Sequence, residues 1–519
     1  MQPHGTPRIL IPALKCILLA GCAVYVAALV WAAAQRVSYQ YELEWQEGRS
    51  VCQAQRILED KGIYCAPSAE FIPFIYTPLY FYASAAVARV AGLGFLPLRL
   101  LSLVCSVGCG LLIGLIVVRR YGAPKFFGAI AASFFWASFF VTGCWFDVAR
   151  VDAMSLLLFL YSFYLFRSPK PAVNSVAAAL VMFLAFFTKQ TVLLVAAPLC
   201  LWCLVFRAGW SRLAFPGVFL AAIALSTFVM DRTSGGWYSY YIFTPPGQIG
   251  IYPAMIFSYW PRDILGCAAI AGIASLFWLS RGGHASVGEW CLDATILGSL
   301  LLASWFTRIH TGGYLNVLLP AYAGLAIFFG VGLYKAVVEA GNSRGIVPLI
   351  YLAAIFQFAQ LYYLPWKQVP PKAASTAGDH LLETIASYHG DVLVLGHPWY
   401  AAMAGKSTFA QEMAIGDIFR ASDLPREKEQ LKASILRKIS QREFDAIILD
   451  TDEFPADTRE LKENYRLVDS HLTPPDFTPI TGYPQRPMFL FTRSSAAGDR
   501  HAGDHSGSGL EHTSGATPP

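Results

Sequence analysis

The stretch FIPFIYTPLYFY, residues 71–82, decides how the loops of this chain are arranged. It opens an apolar segment over 72–90 whose length is sufficient to cross a bilayer. Two prolines and a run of aromatic side chains interrupt the segment, which is typical of a helix that lies at a membrane interface. If 72–90 does cross, every loop after it changes sides. The remaining sequence therefore has to decide between the two arrangements.

The composition of the chain is that of a membrane protein. Of its 519 residues, 55% are hydrophobic and only 14% are charged, whereas a soluble chain carries about 25% charged residues. Soluble multidomain enzymes and disordered proteins are thereby excluded. The net charge of +5 is small and its basic residues are scattered in short clusters, so nucleic acid is not a partner.

Eleven further apolar runs predict a polytopic α-helical membrane protein of about eleven transmembrane helices. Each run approaches the ~20 residues that a membrane-spanning helix needs. The runs cover 9–34, 96–118, 126–146, 151–166, 172–188, 192–206, 213–230, 264–279, 292–306, 314–334 and 346–364.

The basic residues of the short loops decide the orientation. If 72–90 does not cross, one side of the membrane holds Arg119, Arg120, Lys125, Arg167, Lys170, Arg207, Arg212, Arg281, Lys335 and Arg344. The other side holds only Arg150, Lys189, Arg232, Arg262 and Arg308. Because basic loops stay in the cytoplasm, we predict a cytoplasmic N-terminus and a long first extracytoplasmic loop over 35–96 that contains interfacial helices. The region after the last helix is then extracytoplasmic as well.

The composition changes after residue 364. Short buried strands are predicted at 391–396, 444–450 and 488–492, and a helix at 423–440. We therefore divide the chain into a transmembrane domain over 1–364, a small extracytoplasmic α/β domain over 365–493 and a disordered tail over 494–519. No nucleotide-binding or nucleophile-elbow motif occurs in the α/β domain, and we interpret its Gly396-His397 and 450–452 as strand-end turns.

Charged residues that interrupt apolar sequence gather on the predicted extracytoplasmic side, in the stretches 41–49, 147–152, 188–191 and 308–316. Charges at membrane depth are costly and usually functional. Carboxylates can act as a general base or bind metal and sugar hydroxyls, while Arg, Lys and His can hold a phosphate. Such a site suits group transfer from a lipid-linked phosphate. The structural alternative for each residue is an interfacial charge or an intramembrane ion pair.

These stretches, together with YTPLYFY at 76–82, make residues 39–364 resemble the C-type glycosyltransferase superfamily. The similarity is to its bacterial branch, related to protein O-mannosyltransferases and lipid A aminoarabinose transferases. The resemblance implies a polyprenyl-phosphate-linked sugar as donor and a glycan, lipid or protein as acceptor. It also implies a bacterial plasma-membrane location, interfacial helices and a catalytic acid in the first extracytoplasmic loop, and a C-terminal extracytoplasmic domain.

The resemblance also implies roles for individual residues. Glu44 or Glu47 is the candidate base, since Gln46 replaces the acid of the usual Asp-Glu pair and a variant form with an earlier acid fits Glu44. Asp147 and Asp152 form a second acidic site that contacts metal, sugar or acceptor, and a divalent metal is left open. The candidate donor-phosphate ligands are Arg150, Lys189, Arg308 and His310.

Two alternatives remain at this stage. The charges could line the pathway of a transporter or flippase for a polar or lipid-linked substrate, although no halved repeat is visible and the charges favour one face. The stretch 235–241, with Trp237 and three tyrosines, fits a sugar-stacking platform and a set of interfacial anchors equally well.

Overall fold

The computed structural model describes residues 6–167, 171–420 and 424–494. The predicted disordered tail, 494–519, lies outside the described residues except for Ser494. The first three quarters of the chain is helical, with helices α1 to α15 at Thr6–Val37, Glu47–Leu58, Leu79–Ala91, Phe95–Arg120, Lys125–Ala137, Asp152–Phe166, Pro171–Thr188, Leu193–Phe206, Ser211–Ser234, Trp237–Gly247, Pro253–Ser258, Gly266–Arg281, Val287–Arg308, Leu319–Ala340 and Ile346–Gln360. A π-helical turn over Tyr259–Leu265 joins α11 to α12.

Each of the eleven predicted apolar runs contains a helix of the described chain, although the run 126–146 is helical only as far as Ala137 and continues in turns. Six helical segments are long and apolar enough to cross a bilayer, and a seventh is counted if the bent pair around Pro365 forms one span. Of the other four runs, those of α5, α6 and α8 form helices of 13, 15 and 14 residues, and the stretch Asn174–Thr188 of α7 also counts among the shorter apolar helices. The protein is therefore an integral membrane protein, and the number eleven stays a prediction.

Helix α14 lies at the centre of the bundle. Nearly all of its side chains from Leu319 to Leu333 are buried. Gly332 allows α12 to approach closely, because a Cβ at this position would lie 2.0 Å from the carbonyl oxygen of Ala274. Small residues at such crossings let apolar helices pack backbone against backbone.

The connection from α1 to α4, which contains the stretch 71–82, starts and ends at the same end of the helix bundle. Arg99, at the start of α4, donates hydrogen bonds to the carbonyl oxygens of Tyr39 and Tyr41, just beyond the end of α1. A connection that returns to its own side is expected if 72–90 does not cross. Within it, residues 71–78 are irregular and Phe74 is buried, while α3 is 13 residues long.

The C-terminal part contains a four-stranded sheet with helices α16 to α20 at Lys372–Ala386, Pro398–Met403, Glu412–Arg420, Pro425–Ser440 and Thr458–Asn464. Its strands β1 to β4 are Val392–Val394, Ala446–Leu449, Tyr465–Asp469 and Phe489–Arg493, in the order β1-β2-β4-β3. The first pair is parallel and the other two pairs are antiparallel. The sequence missed β3, which is an edge strand with mostly exposed side chains and therefore carries no buried-strand pattern.

The sheet packs directly against the first loop of the helical part. Gly378 contacts the ring of Tyr41 so closely that a Cβ would lie 2.3 Å from ring carbons, and the Tyr41 hydroxyl donates a hydrogen bond to Asp379. Residue 364 thus marks a change of composition, while the packing is continuous across it. The division of the chain into domains stays a prediction.

Gly396 and His397 follow the end of β1, as predicted, and His397 also makes buried contacts that the sequence did not indicate. His397 is buried, its Nδ1 is hydrogen-bonded to Glu42 of the first loop, and its Nε2 lies 3.2 Å from Asp450. Although burial opposes it, the carboxylates Asp450 and Glu42 hold the pKa of His397 well above its ordinary value. His397 therefore ties the sheet to the loop that carries the candidate base.

We predict that removing the guanidinium of Arg99 destabilises the fold strongly. Arg99 forms a buried ion pair with Glu47, to which its Nε donates a hydrogen bond at 2.9 Å. Glu47 also accepts hydrogen bonds from the backbone N–H groups of Leu43 and Ala149, both at 2.7 Å. Arg99→Met leaves this carboxylate buried without its cation and should cost about 3–5 kcal/mol. Thermal unfolding of the purified protein, followed by tryptophan fluorescence, measures the change.

Two variants control this experiment. Arg89→Gln removes an exposed arginine of α3 and should change stability by no more than about 0.5 kcal/mol. Arg99→Met combined with Glu47→Gln should recover part of the loss, since the amide carries no charge and its oxygen still accepts from one of the two backbone N–H groups. Equal stability of Arg99→Met and wild type would contradict the prediction.

Candidate active site

Two cavities meet at the end of the bundle where α1 ends and α4 begins. The first, which we call the polar cavity, is lined by Glu44, Arg49, Tyr76, Arg150 and Asp417 among others. The second, the apolar cavity, has Asp152 and Lys189 at one end and is otherwise lined mainly by aliphatic and aromatic residues of α6, α8, α13 and α14. Asn316 lines both cavities, which places the polar end of one beside the other.

Glu44 stands in the wall of the polar cavity. Its Oε2 accepts hydrogen bonds from the backbone N–H of Gln46 at 3.2 Å and from Arg150 Nη1 at 3.3 Å. Burial raises the pKa of the Glu44 carboxyl to about 8, even though the Arg150 guanidinium opposes this shift. A carboxylate with a pKa near neutrality is well matched to proton transfer at physiological pH.

The pair of Lys189 and Asp152 lies where the two cavities adjoin. Lys189 Nζ donates a hydrogen bond to Asp152 Oδ1 at 2.6 Å, and Asn316 Nδ2 donates to the same oxygen at 3.0 Å. The other oxygen of Asp152 has no hydrogen-bond partner in the described part of the chain. Tyr76 connects this pair with the polar cavity, since its hydroxyl accepts from Arg150 Nη2 at 3.4 Å and its ring lies 5.9 Å from Lys189 Nζ.

Arg49 adds a further cation, which the sequence had weighed as an interfacial charge. It is buried, its guanidinium lies 3.9 Å above the ring of Phe74, and Nη2 donates to the carbonyl oxygen of Pro73 at 2.7 Å. Its Nε has no hydrogen-bond partner among the described residues, and burial lowers the pKa of its guanidinium to about 10. Arg49 and Arg150 therefore share a confined space, which an anion would stabilise.

Two predicted carboxylates lie in closed ion pairs. Glu47 is held by Arg99 and by two backbone N–H groups. Asp147 receives Arg36 Nε at 2.7 Å and Arg36 Nη2 at 2.9 Å, and both side chains are fully buried. Neither carboxylate lines one of the two cavities.

The two residues of the stretch 308–316 that were predicted to bind the donor phosphate, Arg308 and His310, lie outside both cavities. Arg308 pairs with Asp263 of the π-helical turn at 2.9 Å and donates to the carbonyl oxygen of Gly313. His310 contacts the carbonyl oxygen and the ring of Phe306, and neither residue lines the cavities. The stretch reaches the cavities instead through Thr311, Gly312, Tyr314 and Asn316.

Sequence reasoning missed the part of the polar cavity that comes from the C-terminal region. Met413, Asp417 and Arg420 of α18 line it, and Arg420 pairs with Asp417 one turn earlier. Their spacing of three residues on an amphipathic helix was a local signal for an ion pair. The sequence contained no signal that this helix faces the first loop.

Metal binding and sugar stacking were left open by the sequence. No group of three or more His, Cys, Asp or Glu side chains arranged to hold a metal ion occurs among the described residues. Glu44, Asp152 and Asp417 each pair with a cation, so we derive no step through a metal. In the aromatic stretch, Tyr238 and Tyr241 are fully buried, as expected of core side chains.

Comparisons with known proteins bear on the fold. No protein-family model matches the sequence, and no curated protein sequence matches it significantly. A solved structure of the archaeal oligosaccharyltransferase from Archaeoglobus fulgidus, tethered with an acceptor peptide, is 12% identical with a TM-score of 0.47, covering 91% of this chain and 74% of that chain. Two structures of ArnT from Cupriavidus metallidurans are more similar.

ArnT bound to undecaprenyl phosphate matches with a TM-score of 0.59 at 14% identity, and the match covers 92% of this chain and 99% of that chain. ArnT in the apo state matches with a TM-score of 0.58 at 14% identity, covering 91% and 97%. The chain therefore has the fold of the C-type glycosyltransferases, as the sequence resemblance predicted. The similarity to ArnT extends over the helical part and the C-terminal sheet together.

Proposed function

We propose that this protein is an integral membrane glycosyltransferase that transfers a sugar from a polyprenyl-phosphate donor to an acceptor hydroxyl on the extracytoplasmic face. The observation that carries this proposal is the position of Glu44 beside Arg150, in a polar cavity that adjoins the Lys189 end of an apolar one. A sugar linked to a lipid phosphate matches this order, since it has an apolar chain for the apolar cavity, an anionic phosphate for Lys189 and Arg150, and a polar sugar for the polar cavity.

The apolar cavity suits the lipid part of the donor. Its walls include Leu156, Phe159 and Leu300, and Lys189 stands at its polar end. A donor phosphate at this end would draw Lys189 and Arg150 toward it, and such charge-assisted hydrogen bonds are stronger than neutral ones. The undecaprenyl phosphate bound by the structurally similar ArnT supports a donor of this class.

Glu44 is our candidate for the general base. In its ionised form it takes the proton of the acceptor hydroxyl, whose oxygen then attacks the anomeric carbon. The bond from that carbon to the phosphate oxygen breaks, and polyprenyl phosphate leaves with the bonding electrons. Arg150, Lys189 and Arg49 stabilise the charge that develops on the phosphate, and direct displacement inverts the anomeric centre.

Glu47, the alternative base, fits this role less well than Glu44. Its two oxygens already accept from Arg99 and from two backbone N–H groups, so it has no lone pair to offer to an acceptor. We assign Glu47 and Asp147 as residues that position the loops. Asp152 holds Lys189 and Asn316 in place until the donor binds, and Arg308 and His310 act outside the donor site.

We predict that Glu44→Gln lowers transfer at least about a hundredfold, because a general base contributes a factor of 10² to 10⁴. With its raised pKa, Glu44 is protonated and inactive below about pH 8, so wild-type activity should rise as the pH is raised through this value. The variant should lack this dependence. Release of polyprenyl phosphate from a panel of labelled undecaprenyl-phosphate sugars, with protein in nanodiscs, measures both effects.

Glu59→Gln is the matched control, since Glu59 lies in the same loop but is exposed and pairs with Lys61. This variant should behave as wild type in rate and pH profile. Full activity of Glu44→Gln would disprove the assignment of the base, whereas retention of configuration in the product would disprove direct displacement.

Donor affinity tests the phosphate ligands separately. Lys189→Gln should weaken binding of undecaprenyl phosphate about tenfold or more, since it removes a charge-assisted hydrogen bond. Lys189→Arg should retain most of the affinity because the charge remains, and it also keeps Asp152 paired. Arg232→Gln, at an exposed position, serves as the control, and unchanged affinity of Lys189→Gln would refute this role.

The orientation is also part of the proposal, with the N-terminus in the cytoplasm and the sheet outside. Single cysteines at Lys125 and Ala285 should react with a membrane-impermeant maleimide only after cells are permeabilised. Cysteines at Lys61 and Glu429 should react on intact cells. All four positions are exposed, and wild type gives the background from the native cysteines. Labelling of Lys125→Cys on intact cells would reverse the orientation.

A further inference from the structure

A second charged cavity lies at the opposite end of the helix bundle from the candidate active site. Arg119 and Arg120 end α4, Arg167 follows α6 and Arg207 follows α8, and all four line this arginine cavity. The first turn of α13 closes it. In the sequence these arginines served only to orient the chain, and the proposed function does not use them.

The helices themselves establish the separation of the two sites. Helix α6 begins at Asp152 of the candidate active site and ends beside the arginine cavity after 15 residues, a distance of about 22 Å at a rise of 1.5 Å per residue. Helix α8 likewise runs from the Lys189 stretch to Arg207. The two sites therefore face opposite surfaces of the membrane.

Three of the four guanidiniums have no carboxylate partner. Arg119, Arg120 and Arg207 form no ion pair within 4 Å in the parts of the chain that the structure covers, and the buried Nε atoms of Arg120 and Arg207 have no hydrogen-bond partner there. Only Arg167 is neutralised, by the buried Asp293. The cavity thus holds unneutralised positive charge.

Aromatic rings hold these arginines in place. The guanidinium of Arg120 lies 3.9 Å above the ring of Tyr164, and that of Arg207 lies 5.2 Å from the ring of Trp202. Stacking of this kind orders the planar groups while leaving their N–H edges free to bind an anion. A residue that serves only to orient a loop needs no such fixation.

Helix α13 adds backbone donors to the cavity. Its first turn, with Gly288 in the lining, points its N-terminus into the same space, and the helix is 22 residues long. The only lining carboxylate in the described chain is Glu289, whose side chain accepts from the backbone N–H of Ala285 at 3.1 Å. The Ser286 hydroxyl in the same lining already accepts from the N–H of Glu289, so it is the positive end of the helix together with the arginines that favours a phosphate.

The surface next to the cavity is apolar and exposed. Leu201 and Val205 of α8 are 62% and 59% exposed, and Val287 of α13 is 71% exposed. In a membrane protein this surface faces lipid chains. A ligand that extends from the arginine cavity along α8 therefore has its head group beside the arginines and its remaining part on an apolar surface.

We propose that the arginine cavity binds the phosphate of an anionic phospholipid, with the acyl chains lying along the exposed face of α8. Basic pockets between transmembrane helices are suited to such head groups. The ligand chemistry is a phosphate, and a soluble phosphate compound could offer the same group. This proposal does not depend on the glycosyltransferase assignment, since it uses none of its residues.

The test compares lipid retention by the full-length protein. Wild type in detergent, titrated with phosphatidylglycerol or phosphatidylcholine and observed by native mass spectrometry, should prefer phosphatidylglycerol. The double variant Arg120→Gln/Arg207→Gln should lose about twenty-five-fold in affinity, at about fivefold per arginine. Arg120→Lys/Arg207→Lys should keep most of it, and unchanged thermal unfolding of the double variant shows that its fold is intact.

Arg281→Gln/Arg344→Gln is the matched control, because it removes two exposed arginines from loops of the same end. It should bind as wild type. Equal retention of both lipids, or an equal loss in this control, would overturn the site. Displacement of phosphatidylglycerol by glycerol phosphate or inorganic phosphate would overturn the lipid assignment in favour of a soluble anion, and resistance to both supports the lipid.

Discussion

The buried ion pair between Glu47 and Arg99 is the interaction on which the rest of the site depends. Arg99 ties the start of α4 to the end of α1, and Glu47 holds the backbone of Leu43 on one side and of Ala149 on the other. Because a buried charge without its partner is strongly destabilising, these four segments have one arrangement. In that arrangement Glu44 and Arg150 pair at 3.3 Å in the wall of the polar cavity.

Residues of the same type consequently have different roles at this end of the bundle. Glu47 and Asp147 lie in ion pairs without access to a cavity, whereas Glu44 and Asp152 lie in pairs that line one. A closed pair contributes structure, since its lone pairs are already used. A pair at a cavity wall can exchange its partner for a substrate, and the single hydrogen bond from Arg150 to Glu44 leaves that carboxylate the freedom to do so.

The C-terminal sheet belongs to the site as well as to the fold. Its His397 is bound to Glu42, two residues before the candidate base, and α18 supplies Asp417 and Arg420 to the polar cavity. Because the buried His397 lies between Glu42 and Asp450, it connects regions some 350 residues apart in the chain. At the far end of the same helices, arginines converge on a second cavity, so clusters of charge lie at both ends of the bundle.

The sequence by itself predicted most of the long apolar helices, the buried strands β1, β2 and β4, and the four stretches whose residues contribute to the two cavities. These follow from local periodicity and from the fact that loops between antiparallel helices return to the same end of a bundle. Only the tertiary structure decided which carboxylates are fully paired away from the cavities and which ones line a cavity. Arg36 reaches Asp147, Arg308 reaches Asp263, and α18 faces the first loop. The partner of a buried charge is chosen by packing between distant segments, and no local pattern of residues encodes that choice.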